Sequence, residues 1–300
     1  MPDVTPQTPG SLPESVFAPC KINLHLRITG RRVDGYHELD TIFLPVENPS
    51  DVIVFFAGAC GTGLVFTCDD PAIAGEDNLM ARAYRRFAAR TGFAPDLGVH
   101  LTKRIPYGSG LGGASSDAAV MLARLNALAG RAALSPGDLS ALAASLGADI
   151  PFFLQSSPAR ATGIGDVLAP VSLRLLGLTL VIVCPPVAVS TPWAYRTYDE
   201  LPKKGGKSGT ESLTRLMGEN TRCVCVTAAP LYNSFERIVF AAHPALRDLK
   251  EHLLALGACG AALSGSGSAV FGLFRDQDKA FGVAAELEKN EGRTFVTVLR

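Results

Sequence analysis

At residues 106–117 the chain carries the run Pro106-Tyr107-Gly108-Ser109-Gly110-Leu111-Gly112-Gly113-Ala114-Ser115-Ser116-Asp117. Four glycines in six residues let the backbone adopt positive φ angles and approach a ligand without a Cβ atom in the way. An alternating strand at residues 97–101 precedes the run, and apolar residues at helical spacing follow it. A helix behind such a loop offers unbonded N–H groups and its positive dipole end to an anion. The pattern predicts a phosphate-binding loop.

Two common glycine patterns do not account for this loop. A Walker A loop ends in Gly-Lys-Ser/Thr, whereas Gly113 is followed by Ala114. Gly108, Gly110 and Gly113 satisfy the G-x-G-x-x-G pattern of dinucleotide folds, which also require a second parallel strand with an acidic residue about 20 positions on. This region instead predicts a helix, a turn and a second helix capped by Ser135. A nicotinamide-dependent oxidoreductase remains an alternative that rests on the glycine pattern alone.

The chain before the loop begins with a strand pattern at residues 21–28. Alternation places Ile22, Leu24, Leu26 and Ile28 on one face, and Lys21, Asn23, His25 and Arg27 on the other. Three helices are predicted: residues 78–90 with Asp77 as N-cap, the stretch from Ser135 to Gly147, and residues 244–256. A buried strand is predicted at residues 178–184. These signals predict an α+β protein with a flexible tail (residues 1–14), an N-terminal domain that contains the glycine loop (15–160) and a C-terminal domain (161–300). The Lys203 to Ser212 segment is expected to be a surface loop.

Composition limits the partners. Lys plus Arg and Asp plus Glu number 28 each, so the mean charge gives no reason to expect nucleic acid or an anionic membrane as partner. No run of 18 apolar residues predicts a membrane span. The seven cysteines lack paired zinc-site spacing, so we expect reduced thiols, no metal site and a cytoplasmic protein. We expect a monomer or weak homodimer, although no residue pattern fixes the oligomeric state.

Three ordered segments resemble the motifs of the GHMP kinase superfamily. The glycine loop resembles its ATP motif, Pro19-Cys20-Lys21-Ile22-Asn23-Leu24 resembles its first motif, and the Gly260 to Ser268 segment resembles its third. The segments Gly30 to Leu39 and Leu146 to Phe153 resemble those members that act on 4-diphosphocytidyl-2-C-methyl-D-erythritol. One departure is Cys20, where the family usually has Ala; this change is small and apolar.

This resemblance implies a two-domain GHMP-kinase-like α+β fold, with an N-terminal lobe like domain 2 of ribosomal protein S5 and a ferredoxin-like C-terminal lobe. It also implies that ATP, accompanied by Mg²⁺, phosphorylates the 2-hydroxyl of the acceptor in the non-mevalonate isoprenoid pathway.

The resemblance also implies site residues. Asp149 is expected to be the base and Lys21 the charge stabiliser. ATP binding is expected from Pro106, Gly108, Ser109, Gly110, Leu111, Gly112, Gly113, Ala114, Ser115 and Ser116. Substrate binding is expected from Asn23, Tyr36, His37, Lys103, Thr191, Tyr195, Gly265 and Ser266. No set of metal ligands stands out.

Simpler roles remain open for several of these residues. Asp149 could only cap a short helix near Pro151, Lys21 could be a solvated charge, and the Ser264 to Ser268 segment could be a plain glycine hairpin. A GHMP kinase for homoserine, mevalonate or galactose, or a non-catalytic protein on the same scaffold, also fits parts of the pattern.

Overall fold

The computed structural model describes residues 13–155, 157–175, 177–201, 223–225 and 231–299. Its strands are β1 (Glu14–Arg31), β2 (His37–Ala57), β3 (Leu64–Cys68), β4 (Leu97–Thr102), β5 (Ala159–Thr162), β6 (Val167–Pro170), β7 (Ser172–Arg174), β8 (Thr179–Cys184), β9 (Cys223–Cys225), β10 (Tyr232–Asn233), β11 (Gly260–Leu263), β12 (Val270–Phe274) and β13 (Arg293–Val298). Its helices are α1 (Leu79–Thr91), α2 (Gly113–Leu128), α3 (Pro136–Leu146), α4 (Ile150–Gln155), α5 (Thr191–Asp199), α6 (Glu236–Ala242), α7 (Pro244–Ala255) and α8 (Gln277–Asn290). The predicted α+β class is confirmed.

Two sequence predictions fall wholly or mostly outside these ranges. The predicted tail lies outside them up to residue 12, and the strand β1 already begins at Glu14. The predicted loop from Lys203 to Ser212 lies outside them entirely. In the ranges that are described, no helix has the length and apolar character needed to cross a membrane.

The first compact unit comprises residues 13–18, 50–104 and 113–154. In it the end of β2 pairs antiparallel with β4, and β3 pairs in parallel with β4. The helices α1, α2 and α3 contact one another. Phe55 and Phe87 are fully buried there, because the apolar faces of the sheet and of α1 point inward.

Two helices of this unit, α1 and α3, begin after a residue whose side chain caps the helix. Ser135 accepts a hydrogen bond from the Asp138 N–H and begins α3, which ends at Gly147 as predicted. The predicted cap of α1 was wrong by one position. Asn78, not Asp77, is the cap, because its side-chain oxygen accepts a hydrogen bond from the Met80 N–H at 2.9 Å.

The second unit comprises residues 19–49, 105–112 and the described part of 155–300. In one sheet β1 lies between β10 and β2, and β5 and β6 continue the sheet beyond β2. A second, antiparallel sheet has the strand order β11-β12-β8-β13. The strand β8, predicted as a buried run, is buried at every residue because it is central in this sheet. The division of the chain near residue 160 stays a prediction.

Two apolar clusters fill the second unit. One joins residues of β1 and β2, such as Ile22 and Ile42, to Leu180, Ile182 and Phe271 of the antiparallel sheet. The other covers the opposite face of β8 with the helices α6, α7 and α8. The antiparallel sheet therefore carries apolar packing on both faces.

Both faces of β1 are buried over the first motif, although the sequence alternates between apolar and polar residues. Lys21, Asn23 and His25 are all buried. Both ring nitrogens of His25 lack a hydrogen-bond partner in the described chain, and its ring lies 5.6 Å from that of Tyr232. Burial lowers the pKa of His25 to about 4; the Asp40 carboxylate opposes this shift and the charges of Arg27 and Arg160 reinforce it.

We predict that His25 makes the protein less stable at acid pH. The folded state keeps the imidazole neutral, so its contribution is fully present above the ordinary pKa near 6.5 and is lost as the pH falls toward 4. The loss is on the order of 3 kcal/mol. Urea unfolding at pH 7, 6, 5 and 4.5 measures it, and His25→Phe should remove this part of the pH dependence.

The control for this prediction is His252→Gln, which removes a half-exposed histidine of α7. It should leave the slope of unfolding free energy against pH as in the wild type. An equal slope in His25→Phe and in the wild type would contradict the assignment to His25.

Candidate active site

Lys21 is a buried cation in the second unit. Its Nζ donates a hydrogen bond to Asn23 Oδ1 at 2.7 Å and lies 5.2 Å from the centre of the Phe43 ring. A buried ammonium needs such partners, because removing it from water costs far more than burying an apolar side chain. The alternative of a solvated charge is therefore wrong.

Asn23 joins the first motif to the third. Its Oδ1 also accepts the Gly265 N–H at 3.0 Å, and its Nδ2 donates to Thr41 Oγ1 at 2.7 Å. Thr41 in turn donates to the carbonyl of His25 at 2.6 Å. With both ends bonded, the amide has one orientation, and it presents its oxygen to Lys21.

The glycine loop meets both of these motifs through its backbone. The Lys21 N–H donates to the carbonyl of Leu111 at 2.9 Å. The Ser268 and Ala269 N–H groups donate to the carbonyls of Gly108 and Ser109 at 3.2 and 3.0 Å. Three segments separated by up to about 240 positions in the sequence thus form one hydrogen-bonded group.

The Ser264 to Ser268 segment is a hairpin turn, since it connects the antiparallel strands β11 and β12. The same segment also contacts the glycine loop, because Ser264 Oγ donates a hydrogen bond to the carbonyl of Gly110 at 3.2 Å. Asn233, which the sequence analysis did not single out, donates from Nδ2 to the carbonyls of Leu263 and Gly265, each at 2.8 Å. Its own oxygen accepts the Phe235 N–H at 2.9 Å.

Gly110 is the tightest point of the loop. Its φ is +75°, and a Cβ atom there would lie 2.1 Å from the carbonyl oxygen of Ser264. Gly108 and Gly112 also have positive φ values, of 66° and 76°. Gly110 therefore allows the close approach of another backbone segment, whereas the predicted approach of the loop to a ligand stays a prediction.

Directly after the loop, α2 begins at Gly113 and carries Ala114, Ser115 and Ser116 in its first turn. The Ser116 hydroxyl is buried and has no hydrogen-bond partner within the described ranges. Ser109, by contrast, donates its hydroxyl to the carbonyl of Pro106 at 2.6 Å and stabilises the loop itself. The two serines therefore differ in what they can still bind.

Lys103 lies in the first unit between two carboxylates. Its Nζ hydrogen-bonds to Asp51 and, at 2.9 Å, to Asp117. Burial raises the pKa of Asp117, and the positive charge of Lys103 opposes this shift. Burial alone would lower the pKa of Lys103, but the negative charges of Asp117 and Asp51 outweigh burial, so the pKa of Lys103 is raised. Any anion that binds Lys103 has to compete with these carboxylates, so the substrate role of Lys103 stays a prediction.

The predicted substrate residues Tyr36, His37 and Tyr195 belong to one neighbourhood of the second unit. The His37 ring stacks on that of Tyr195 with centroids 4.6 Å apart and 22° between the planes. His37 Nε2 lies 2.7 Å from Asp199 Oδ1. Tyr36 is 61% exposed, so its ring is accessible to a planar ligand.

Two further predicted substrate residues are paired. The hydroxyls of Thr191 and Ser266 lie 2.8 Å apart, and Thr191 opens α5. This contact places the start of α5 beside the turn of the third motif. Thr191, Gly265 and Ser266 are therefore brought together in the second unit.

Asp149 belongs to the first unit. It is half-buried and comes directly before α4, which begins at Ile150. That position suits a helix cap as well as a reactive carboxylate. Its catalytic role stays a prediction.

Comparison with known proteins decides among the protein classes that the sequence left open. Residues 78–157 match the GHMP kinase N-terminal domain and residues 211–293 the GHMP kinase C-terminal domain. The 4-diphosphocytidyl-2-C-methyl-D-erythritol kinase of Solidesulfovibrio magneticus is 52% identical over 94% of this chain and 95% of its own length. The chain belongs to the family of 4-diphosphocytidyl-2-C-methyl-D-erythritol kinases. The oxidoreductase alternative is thereby excluded.

Other members and structures agree. The kinase of the same description from Chlorobium limicola is 40% identical over 95% of this chain and 97% of its own. The crystal structure of a 4-(cytidine 5'-diphospho)-2C-methyl-D-erythritol kinase is 36% identical, has a TM-score of 0.75 and covers 94% of this chain and 98% of that one. A homoserine kinase from Cytophaga hutchinsonii, 21% identical with a TM-score of 0.68 and covering 99% of this chain and 98% of its own, shows the same fold. The two-lobed GHMP kinase fold predicted from the motifs is confirmed.

We predict that Gly110→Ala destabilises the protein and abolishes phosphoryl transfer. The new Cβ would collide with the Ser264 carbonyl and would force a side chain into a positive φ region, at a cost above about 2 kcal/mol. Urea unfolding and ATP turnover measure the two effects.

Gly282→Ala is the matched control for this variant. Gly282 lies in α8, and nothing is within 4 Å of a Cβ built there. It should stabilise the protein by about 0.5–1 kcal/mol and leave turnover unchanged. Normal stability of Gly110→Ala would contradict the close contact.

Proposed function

We propose that this protein transfers the γ-phosphoryl group of ATP to the 2-hydroxyl of 4-diphosphocytidyl-2-C-methyl-D-erythritol, in the non-mevalonate route to isoprenoid precursors. The observation that carries the proposal is the hydrogen-bonded group formed by the first motif, the glycine loop and the third motif. The family membership supports the choice of acceptor.

ATP phosphates are proposed to bind at residues 106–116. Gly108, Gly110 and Gly112 have positive φ angles, which other residues rarely adopt, and the first turn of α2 supplies N–H groups that have no partner within the helix. The unpartnered Ser116 hydroxyl adds a donor. These features are suited to binding a polyanion such as the phosphate chain of a nucleotide. None of them is specific for a base.

Lys21 is proposed to stabilise the charge that develops as the acceptor oxygen meets the phosphoryl group. Its ammonium is buried and is oriented by Asn23, so it is in place before the reaction. A fixed charge in a buried site stabilises such a transition state more strongly than a solvated one.

Asp149 is proposed to accept the proton of the acceptor hydroxyl. The proposal is carried by the Leu146 to Phe153 motif, in which Asp149 is the acidic residue. A carboxylate is a sufficient base for phosphoryl transfer, because the barrier is lowered mainly by positioning and charge stabilisation.

The cytosine of the acceptor is proposed to bind at Tyr36, His37 and Tyr195. The exposed Tyr36 ring offers a stacking surface, and the edge of His37 offers a ring nitrogen. Thr191, Ser266 and the Gly265 backbone, which lie together, are proposed to contact the rest of the acceptor.

Magnesium is proposed to accompany ATP. In the described ranges no group of three or more His, Cys, Asp and Glu side chains could hold a metal ion. Mg²⁺ is usually bound by one or two protein oxygens together with substrate phosphates and water, and the unpartnered Ser116 Oγ fits such a ligand. When bound, the ion would neutralise charge on the phosphate oxygens. A cytoplasmic location and a monomeric or weakly dimeric state remain proposals.

The decisive experiment measures ADP release with ATP, magnesium and one of four acceptors: 4-diphosphocytidyl-2-C-methyl-D-erythritol, homoserine, mevalonate or galactose. We expect turnover with the first alone. Turnover with another acceptor would replace the substrate but keep the reaction class, and no turnover would contradict the proposed function.

Asp149→Asn and Lys21→Met should each lower kcat at least about a hundredfold, because each removes a charge used in the transition state. The KM for ATP should change less than kcat. Asp248→Asn is the control, since Asp248 is an exposed residue of α7 whose ion pair with Arg247 contributes little. Full activity of Asp149→Asn would remove the proposed base.

Tyr36→Ala should raise the KM for the acceptor about tenfold or more, because stacking on a base contributes roughly 1–3 kcal/mol. The KM for ATP should stay unchanged. Phe281→Ala, which removes another exposed aromatic ring, should alter neither constant. An unchanged acceptor KM in Tyr36→Ala would refute the stacking role.

A further inference from the structure

His37 is held on two sides, and one of its partners, Asp199, was not singled out by the sequence. One ring face packs on Tyr195, whose own ring contacts Phe235 edge-on with centroids 4.9 Å apart. At the ring edge, Nε2 lies 2.7 Å from Asp199 Oδ1. The imidazole is buried, although Tyr36 beside it is exposed. The ring therefore has one fixed orientation.

Asp199 is the described partner of the His37 ring that can fix the position of its proton. Its second oxygen, Oδ2, forms an ion pair with Arg31 at 3.2 Å, so both carboxylate oxygens have partners. An ionised carboxylate has no proton to donate, so His37 Nε2 must be the donor. In a neutral imidazole, the other nitrogen, Nδ1, then carries a lone pair and can only accept.

An acceptor at this place distinguishes between pyrimidine bases. Cytosine carries an amino group at position 4, which donates a hydrogen bond, whereas uracil carries a carbonyl oxygen there, which accepts one. Nδ1 can pair with the amino group. With uracil, two acceptors would face each other, and this arrangement is unfavourable.

We propose that Asp199 is a positioning residue for base selectivity, which holds the proton on His37 Nε2 so that Nδ1 selects the amino group of cytosine over the carbonyl of uracil. The proposal rests on the proposed function, because it takes the base of the acceptor to lie beside His37. Asp199 touches no reacting atom and acts through His37. Arg31 acts one step further out, because it contacts Asp199.

The substitution Asp199→Asn tests this proposal. The amide side chain that it introduces can present either its oxygen or its N–H to His37 Nε2, so it no longer forces the proton onto that nitrogen. Binding of CMP and of UMP to the full-length protein is measured by calorimetry, with a saturating non-hydrolysable ATP analogue present to occupy the ATP site. The wild type should prefer CMP by about tenfold or more.

In Asp199→Asn, CMP affinity should fall about tenfold while UMP affinity stays or rises, so the preference disappears. A merely structural role would weaken both nucleotides equally and leave their ratio unchanged, and that result would overturn the proposal. Glu200→Gln is the matched control, because it removes the adjacent negative charge without touching His37. It should keep the wild-type ratio.

Measuring both nucleotide binding and acceptor turnover on the same proteins distinguishes a failure of this proposal from a failure of the proposed function. Turnover of 4-diphosphocytidyl-2-C-methyl-D-erythritol by a wild type that does not prefer CMP over UMP would overturn the role of Asp199 and keep the function. Selective CMP binding that is lost in Asp199→Asn, with no acceptor turnover in the wild type, would support the role of Asp199 and contradict the function.

Discussion

A buried side-chain amide that lacks hydrogen bonds costs about 1–3 kcal/mol, and Asn23 avoids that cost by bonding within its own strand and to two other segments. Its oxygen accepts from Lys21 and from the Gly265 backbone, and its nitrogen donates to Thr41. Loss of the Thr41 contact would take the described acceptor away from the Asn23 amide nitrogen, and loss of the Gly265 contact would take Asn23 Oδ1 away from the Gly265 N–H. The orientation of Lys21 and the position of the third motif are therefore set by the same amide, and the remaining contacts of the site are arranged around it.

Local signals were sufficient to predict much of the fold. Ser135 caps α3 and Gly147 ends it, because a hydroxyl before a helix and a glycine after it act within one turn of chain. The buried strand β8 was readable because a central strand is apolar on both faces. The cap of α1 was missed by one residue, since Asp77 and Asn78 are both good caps and only the geometry distinguishes them.

The site was less predictable than the fold, for a physical reason. The alternation of residues in β1 places Lys21 and Asn23 on a polar face. Whether solvent reaches that face depends on segments more than about 200 positions away, which pack against it. The motifs identified most of the contacting residues through resemblance. Asn233 and Asp199 were missed because their partners are remote in sequence: an Asn before a helix reads as a cap, and an Asp near a helix end reads as an ordinary surface residue. Only the folded chain shows that Asn233 also bonds to the third motif and that Asp199 also contacts His37.

Of the three hydrogen bonds described between the glycine loop and the third-motif hairpin, two join backbone atoms alone and the third joins Ser264 Oγ to the carbonyl of Gly110. Carbonyls of Gly108 and Ser109 receive N–H groups of Ser268 and Ala269, and no side chain takes part in either bond. Such bonds survive most changes of side chain, so random mutagenesis of this region should tolerate many substitutions at Tyr107, which points outward, and almost none at Gly110.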